Sequence, residues 1–387
     1  MPAYDAADVA AQTTAGNDTE LTKFNKDFRT EYIRENEFKP YMGGNKTANI
    51  IINHRELVKG GKEVQVPIIN QLRGGRKGLA TLVGNEGKMF ADTYNARPVY
   101  VRDAVTIRVD QKQKSFIDLL RGRKHVLKMK ASDLLTEFIM EGLRSVGSDP
   151  LLFDIENAVC ENIIYELAAG GVLDAWNTAN PYRVYYGADD ANRTAGNHAV
   201  SLAALGVGDV PSAALLDKLR SDAMARNFVS GPTARSAMRP VQVSGMREKF
   251  VLFCGTKAFN LFKADPIIRE NYVHASRTGE GKNRLFQGGD TILYENVIIK
   301  RVPELDLFEP SATVGHIYFC GAHALARAVG SDLKSTKRAE DDYQSIDGVG
   351  FQELYSVEKV FFSDKNVDEA TPPLAQFGVI DCFVTLT

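Results

Sequence analysis

Hydrophobic and polar positions change their period several times along the chain, and each change marks an element. Leu21, Phe24, Phe28 and Tyr32 recur at spacings of three and four, which predicts one apolar stripe on a short helix. Lys23, Lys26, Asp27, Arg29, Glu31 and Arg34 cover its other faces, so it suits lying across a surface better than filling a core. Extended connectors through Pro40, Gly43 and Gly44 follow. From Glu63 the period becomes two, with Val64, Val66 and Ile68 on one side until Gly74, Gly75 and Gly78 interrupt it. Val99, Val101, Val105, Ile107 and Val109 alternate again, broken only by Asp103 on the same face. These two runs predict the arms of a long two-stranded excursion. The stretch between them, LRGGRKGLATLVGNEGKMFADTYNARP, is rich in glycine and charge and poor in apolar surface. It predicts a segment that rests on a partner, with an ordinary surface loop as the alternative.

The strongest helical pattern runs from about Lys114 to Val146, through Phe116, Leu119, Leu120, Val126, Leu127, Leu134, Leu135, Phe138, Leu143 and Val146. At about 1.5 Å per residue such a helix spans roughly 50 Å. Gly147, Ser148, Asp149 and Pro150 predict a stop and a restart, with Asp149 as N-cap and a second helix continuing to Gly170 and Gly171. Residues 172 to 212, which hold the sole tryptophan, Trp176, are turn-rich and read as loops with short strands. Beyond them, Ala213 to Arg226 reads as a helix, MRPVQVSG and REKFVLFC as strands, and Gly255 to Ala264 as a helix. ENVIIKRV, HIYFCG and GAHALARAVG continue this alternation, and the chain closes with two β-rich segments, Gly348 to Phe362 and Phe377 to Thr385. The fold class expected is α+β, without an internal repeat.

A length of 387 residues exceeds what one core needs, which predicts two or three subdomains. Hydrophobic residues at 44% and charged residues at 25% place the chain among folded soluble proteins. Forty-seven Lys and Arg against 49 Asp and Glu leave a net charge of -2, without the basic excess of a dedicated nucleic-acid binder. Any contact with DNA is therefore expected to be local or indirect. Cys160, Cys254, Cys320 and Cys382 lie far apart, so neither a zinc site nor a disulfide framework is signalled, and a reducing cytoplasm fits. The leader MPAYDAADVAAQTTAGNDTE lacks a basic start followed by an apolar run, and no stretch approaches the roughly 18 to 20 apolar residues of a membrane helix.

Several groupings invite a chemical reading. Arg73, Gly74, Gly75, Arg76, Lys77 and Gly78 resemble a phosphate cradle, but LATLV follows where a nucleotide loop leads into a helix. A basic tip meeting a neighbour's carboxylates fits better. The six histidines form no metal-ligand spacing, and Cys254 with His274 is the one Cys and His pairing worth weighing as a nucleophile. Cys254 sits in the apolar run FVLFC, where a thiol packs as a small hydrophobe, and no G-x-S-x-G elbow is present. No catalytic residue, metal or cofactor is expected. The long helix carries Arg121, Arg123, Lys124, His125, Lys128 and Lys130 in its first half and Asp133, Glu137 and Glu141 in its second. That order opposes the helix dipole. Arg121, Arg123, Lys124 and Lys128 therefore point to an anionic partner, either another subunit's carboxylates or DNA phosphate, with a solvated face as the plain alternative.

An arm, a two-stranded excursion, a long helix, a mixed middle and closing strands together resemble the major capsid proteins of tailed bacteriophages with the Hong Kong 97-type fold. The segments ANIIINHRELVKGGKEVQVPIINQLRGGRKGLATLVGNEG and VRDAVTIRVDQKQ are similar to the coat-protein branch of the large lytic enterobacterial podophages. MRPVQVSGMREKFVLFCGTKAFNLFKAD, NRLFQGGDTILYENVIIKRVPEL, HIYFCGAHALARAVG, GFQELYSVEKVFF and FGVIDCFVTLT follow in that branch's order, so the likeness covers about residues 40 to 387. The stretch near Trp176 to Val210 matches loosely, and no lysine and asparagine pair licenses the covalent crosslinking of some relatives.

The resemblance implies an N-terminal arm and connector (1–61), an extended loop (62–104) and a peripheral domain with the long helix (105–175). An axial domain (176–345) and closing strands returning to the peripheral domain (346–387) complete it. It further implies a subunit that assembles with itself as hexamers and pentamers into an icosahedral head around double-stranded DNA, built in the bacterial cytoplasm and carried in the virion. Phe24, Phe28, Arg73, Arg76, Lys77 and Lys88 are then expected at contacts between subunits. Because the sequence begins at Met1, a separate scaffold protein is expected rather than a cleaved one, beside a portal protein and a decoration protein. An encapsulin-like shell enclosing cargo enzymes is the alternative of the same fold.

Overall fold

The computed structural model describes residues 38–44, 49–69, 78–79, 81, 83, 91–108, 119–148, 162–225, 237–241, 249–270, 291–338, 346–363 and 374–387. Two sheets organise them. The first has five strands: β1 (Met42–Gly44), β2 (Ile51–His54), β13 (Leu325–Lys337), β14 (Ile346–Lys359) and β5 (Val99–Arg108), in that spatial order. The second has six: β10 (Thr291–Tyr294), β11 (Val297–Arg301), β9 (Phe250–Cys254), β12 (Val314–Cys320), β17 (Val379–Thr385) and β8 (Val184–Tyr186).

Alternation explains the second sheet. In FVLFC, Val251 and Phe253 face a core shared with the first sheet, while Phe250, Leu252 and Cys254 face a second core on the far side. Tyr318 and Cys320 against Ile317 and Phe319 repeat the division in β12. A strand buried on both faces reads as a continuous apolar run, which is why these segments were legible. The far core is closed by the helices Ala213–Met224 and Thr256–Ala264. Ser212 caps the first of them, its side chain accepting from Leu215 N–H.

The long helix, α1, is Leu119–Arg144. Leu127, Ala131, Leu135, Phe138, Ile139 and Leu143 recur at helical spacing and are buried against the five-stranded sheet, with the Phe138 ring 5.3 Å from that of Tyr355 on β14. The helix ends at Arg144, two residues before the predicted end at Val146, and the chain turns extended at β6 (Ser145–Ser148). The second helix does not reach Gly170: Asn162–Ile164 is a strand, β7, paired with β6, and Tyr165–Leu167 is a 3-10 turn. Gly170 instead opens helix α2 (Gly170–Ala179), because neither Gly170 nor Gly171 takes the left-handed conformation that ends a helix. Residues 172 to 212, expected to be loops with short strands, do hold the short strand β8, but also the rest of α2 and helix α3 (His198–Ala203), the last capped by Asn197, whose side chain accepts from Val200 N–H.

Two further expectations change in partner rather than in kind. Strand β3 (Val64–Ile69) pairs not with the Val99 run but with β4 (Ala91–Ala96), a segment assigned to the glycine-rich loop. Only Tyr94 and Ala96 of that strand are seen to be buried, too weak an alternation to stand out. The Val99 run, β5, leaves the hairpin and pairs with β14 from Tyr355 to Ile346. The two closing β-rich segments also separate: β14 lies in the five-stranded sheet, whereas β17 lies between β12 and β8 in the six-stranded one. Of MRPVQVSG, the described part contributes a single bridge, Val241 with Lys249.

Candidate assembly surfaces and the buried sheet junction

Phe24, Phe28, Arg73, Arg76, Lys77 and Lys88 lie outside the described residues. Arg121, Arg123, Lys124 and Lys128 lie on α1, but their side chains lie outside them also. The first turn of α1 carries no acid and its last turn carries Arg144, whose Nε donates to Met140 O at 3.3 Å. His274 is likewise outside the described residues. Cys254 is fully buried, and burial pushes its thiol far above the ordinary range, the opposite of an activated nucleophile. Among the described residues no group of three or more His, Cys, Asp or Glu is placed to hold a metal ion, and no helix is long and apolar enough to cross a membrane.

The foot of the hairpin is tied to the five-stranded sheet by a buried carboxylate. Tyr94 OH donates to Glu358 Oε2 at 2.7 Å and Arg97 N–H to Glu358 Oε1 at 3.1 Å, while Arg97 pairs with Glu63 at 2.9 Å. Beside this foot is a cavity of about 620 Å³ lined by apolar residues such as Leu57, Val64 and Phe377 together with His54, Arg239 and His323.

Where the two sheets meet, the sequence signals nothing and the structure buries charge. Lys359, at the end of β14, and Asp381, in the middle of β17, have no exposed surface, and their Nζ and Oδ2 atoms are 3.1 Å apart. His316 Nε2 lies 2.9 Å from Asp381 Oδ1 and Tyr318 OH lies 3.0 Å from His316 Nδ1. Burial alone would raise the Asp381 carboxyl, but Lys359 and His316 outweigh it and hold it below its ordinary value. Burial lowers Lys359, with Asp381 restoring part of the loss, and burial also lowers His316 against the pull of Asp381. Beside this chain His198 sits between two phenols, with Nε2 2.8 Å from Tyr165 OH and Nδ1 2.6 Å from Tyr186 OH. Phe383 joins both clusters, its ring centroid 4.3 Å from that of His316 and 5.1 Å from that of His198. Arg144 extends the junction to α1: its guanidinium lies 2.9 Å from Glu166 and 3.5 Å over the Phe308 ring.

The model of the phage capsid protein family matches residues 12–380. The chain belongs to the phage capsid protein family. It is a structural protein of the virion rather than a member of an enzyme family. Solved structures agree on the fold. The capsid asymmetric unit of cyanophage Pam1 is similar with a TM-score of 0.75 at 22% identity, over 100% of this chain and 99% of that one. The capsid of Ralstonia phage GP4 gives 0.62 at 18% identity over 90% and 91%, and the head of Helicobacter pylori bacteriophage KHP40 gives 0.58 at 11% over 91% of each. A search of curated sequences returned no match. The mixed helix-and-sheet capsid fold expected from the sequence is thus the one observed.

Proposed function

We propose that this chain is the major capsid subunit of a tailed phage of the podophage coat-protein branch, assembling as hexamers and pentamers into the shell that encloses the double-stranded DNA genome. The observation that carries this reading is the family match from residue 12 to 380, nearly the whole chain. The peripheral unit is then the five-stranded sheet with α1, and the axial unit is the six-stranded sheet with its two helices. The arm around Phe24 and Phe28 and the basic loop with Arg73, Arg76, Lys77 and Lys88 meet neighbouring subunits, and Arg121, Arg123, Lys124 and Lys128 serve an anionic partner. A separate scaffold, a portal and a decoration protein act beside it during assembly in the host cytoplasm. Repeated interfaces between identical copies supply the stability of the shell.

The test is direct. Negative-stain microscopy of the purified chain, alone and with a scaffold protein from the same phage, is expected to show capsomers or shells. A compact monomer under every assembly condition would overturn the reading.

A further inference from the structure

Residues 162–203 form a cap over one end of the six-stranded sheet. Its only strand in that sheet, β8, sits at the sheet edge and pairs with β17 through three residues, Asp381 with Val184, Cys382 with Tyr185 and Phe383 with Tyr186. By contrast β12 and β17 pair over seven. What seals the cap is an aromatic cluster in which Tyr165, Trp176 and Tyr186 surround Phe383, with His198 at its centre.

His198 is only 3% exposed, and each ring nitrogen is within hydrogen-bond distance of a tyrosine hydroxyl. A neutral imidazole offers one donor and one acceptor, so one tyrosine accepts and the other donates. An imidazolium must donate to both, which forces the donating tyrosine to find another acceptor inside the seal. The groups facing the two imidazoles come from every element around them. Asp174 of α2 faces His198, but its carboxylate already accepts from the His198 backbone N–H at 2.7 Å. Tyr186 of β8 also meets Ser201 of α3 and Arg193. Asp381, Lys359, Tyr318, Tyr165 and Glu166 face His316, and His316 itself faces His198.

We propose that this junction is a proton-operated latch, in which protonation of His198 releases the cap, residues 162–203, from strand β17 while the rest of the six-stranded sheet stays paired. The sign follows from burial, which with the nearby His316 lowers the His198 imidazole to about 4, against Asp174. In the released cap it returns to the ordinary value of about 6.5. The latch is therefore fully closed above pH 6.5, and its opening constant rises by up to about tenfold for each unit that pH falls between 6.5 and 4. This device goes beyond the capsid reading and is read on the subunit itself.

Amide hydrogen exchange of the full chain, corrected for intrinsic rates and followed from pH 7.5 to 4.5, tests it. Opening of residues 170–203 is expected to rise steeply on acidification while residues 250–264 and 314–320 hold. His198→Gln, which keeps a donor and an acceptor for the tyrosines but does not titrate, is expected to flatten that rise. Parallel loss of protection in cap and sheet, or an unchanged pH slope in His198→Gln, would overturn the latch. If the variant does not fold, ring titration of the wild-type histidines by nuclear magnetic resonance decides. The His198 ring, assigned by its contacts with Tyr165 and Tyr186, must titrate well below 6.5, and an ordinary titration of that ring sinks the proposal.

Discussion

Lys359 and Asp381 show what a single buried pair does. Each has no exposed surface, and removing an ion from water costs several kcal/mol that the partner offsets only while both remain. Asp381→Leu strands the Lys359 ammonium and His316 and is expected to cost about 3–5 kcal/mol, seen as a lower denaturation midpoint at unchanged slope. Lys359→Met combined with Asp381→Leu removes both charges and is expected to recover much of that loss. A double variant as unstable as the sum of the two singles would contradict the pairing. None of this was visible beforehand. Asp381 lies in FGVIDCFVTLT, where a lone acid in an apolar strand carries no mark of its partner, which sits 22 positions away on a strand of the other sheet. The sequence offers its histidines as ligands, as a nucleophile's partner and, at His125, as part of a basic helix face, whereas His198 and His316 sit inside a seal of aromatic rings where burial lowers both imidazoles.

At the scale of elements, long periodic segments were readable and short ones were not. The α1 stripe and the runs of β9, β12 and β17 stand out because each buries a regular apolar set. Strand β4 did not, because ADTYNA turns few apolar groups inward and owes its place to Tyr94 and its neighbours. Tyr94→Phe is therefore informative: it deprives the buried Glu358 carboxylate of one donor while leaving the ring in place. The expected loss is about 1–3 kcal/mol of stability, with faster amide exchange across β3 and β4 than in β13. Unchanged exchange in the hairpin would mean that the tyrosine bond does not anchor it. The cap was misread for a related reason, since Gly170 and Gly171 resemble a helix stop and are in fact a helix start.

For the whole molecule, two sheets share one core with α1 and keep a second core on the far face of the six-stranded sheet. A net charge of -2 leaves the chain no general affinity for DNA, so any electrostatic contact with an anion has to be concentrated. The basic first half of α1 is where the sequence concentrates it, in an order that the helix dipole disfavours. Reversing Arg121, Arg123 and Lys124 to Glu is expected to impair assembly or genome packaging, measured as the yield of DNA-filled particles. Particles filled as well as those of wild type would show that this face is merely solvated.

Sequence alone settled the fold class, the long helix and the runs that became central strands, because burial imposes a period that composition records locally. Which strand pairs with which was settled by tertiary structure. Backbone N–H and C=O groups are alike in every strand, so the pairing of β5 with β14 and of β17 with β8 follows from which faces the two cores bury rather than from the strands' own sequences. The same holds for the junction. Lys359, Asp381, His316 and His198 acquire their shared chemistry from being enclosed together, and enclosure is a property of the folded chain rather than of any segment of it.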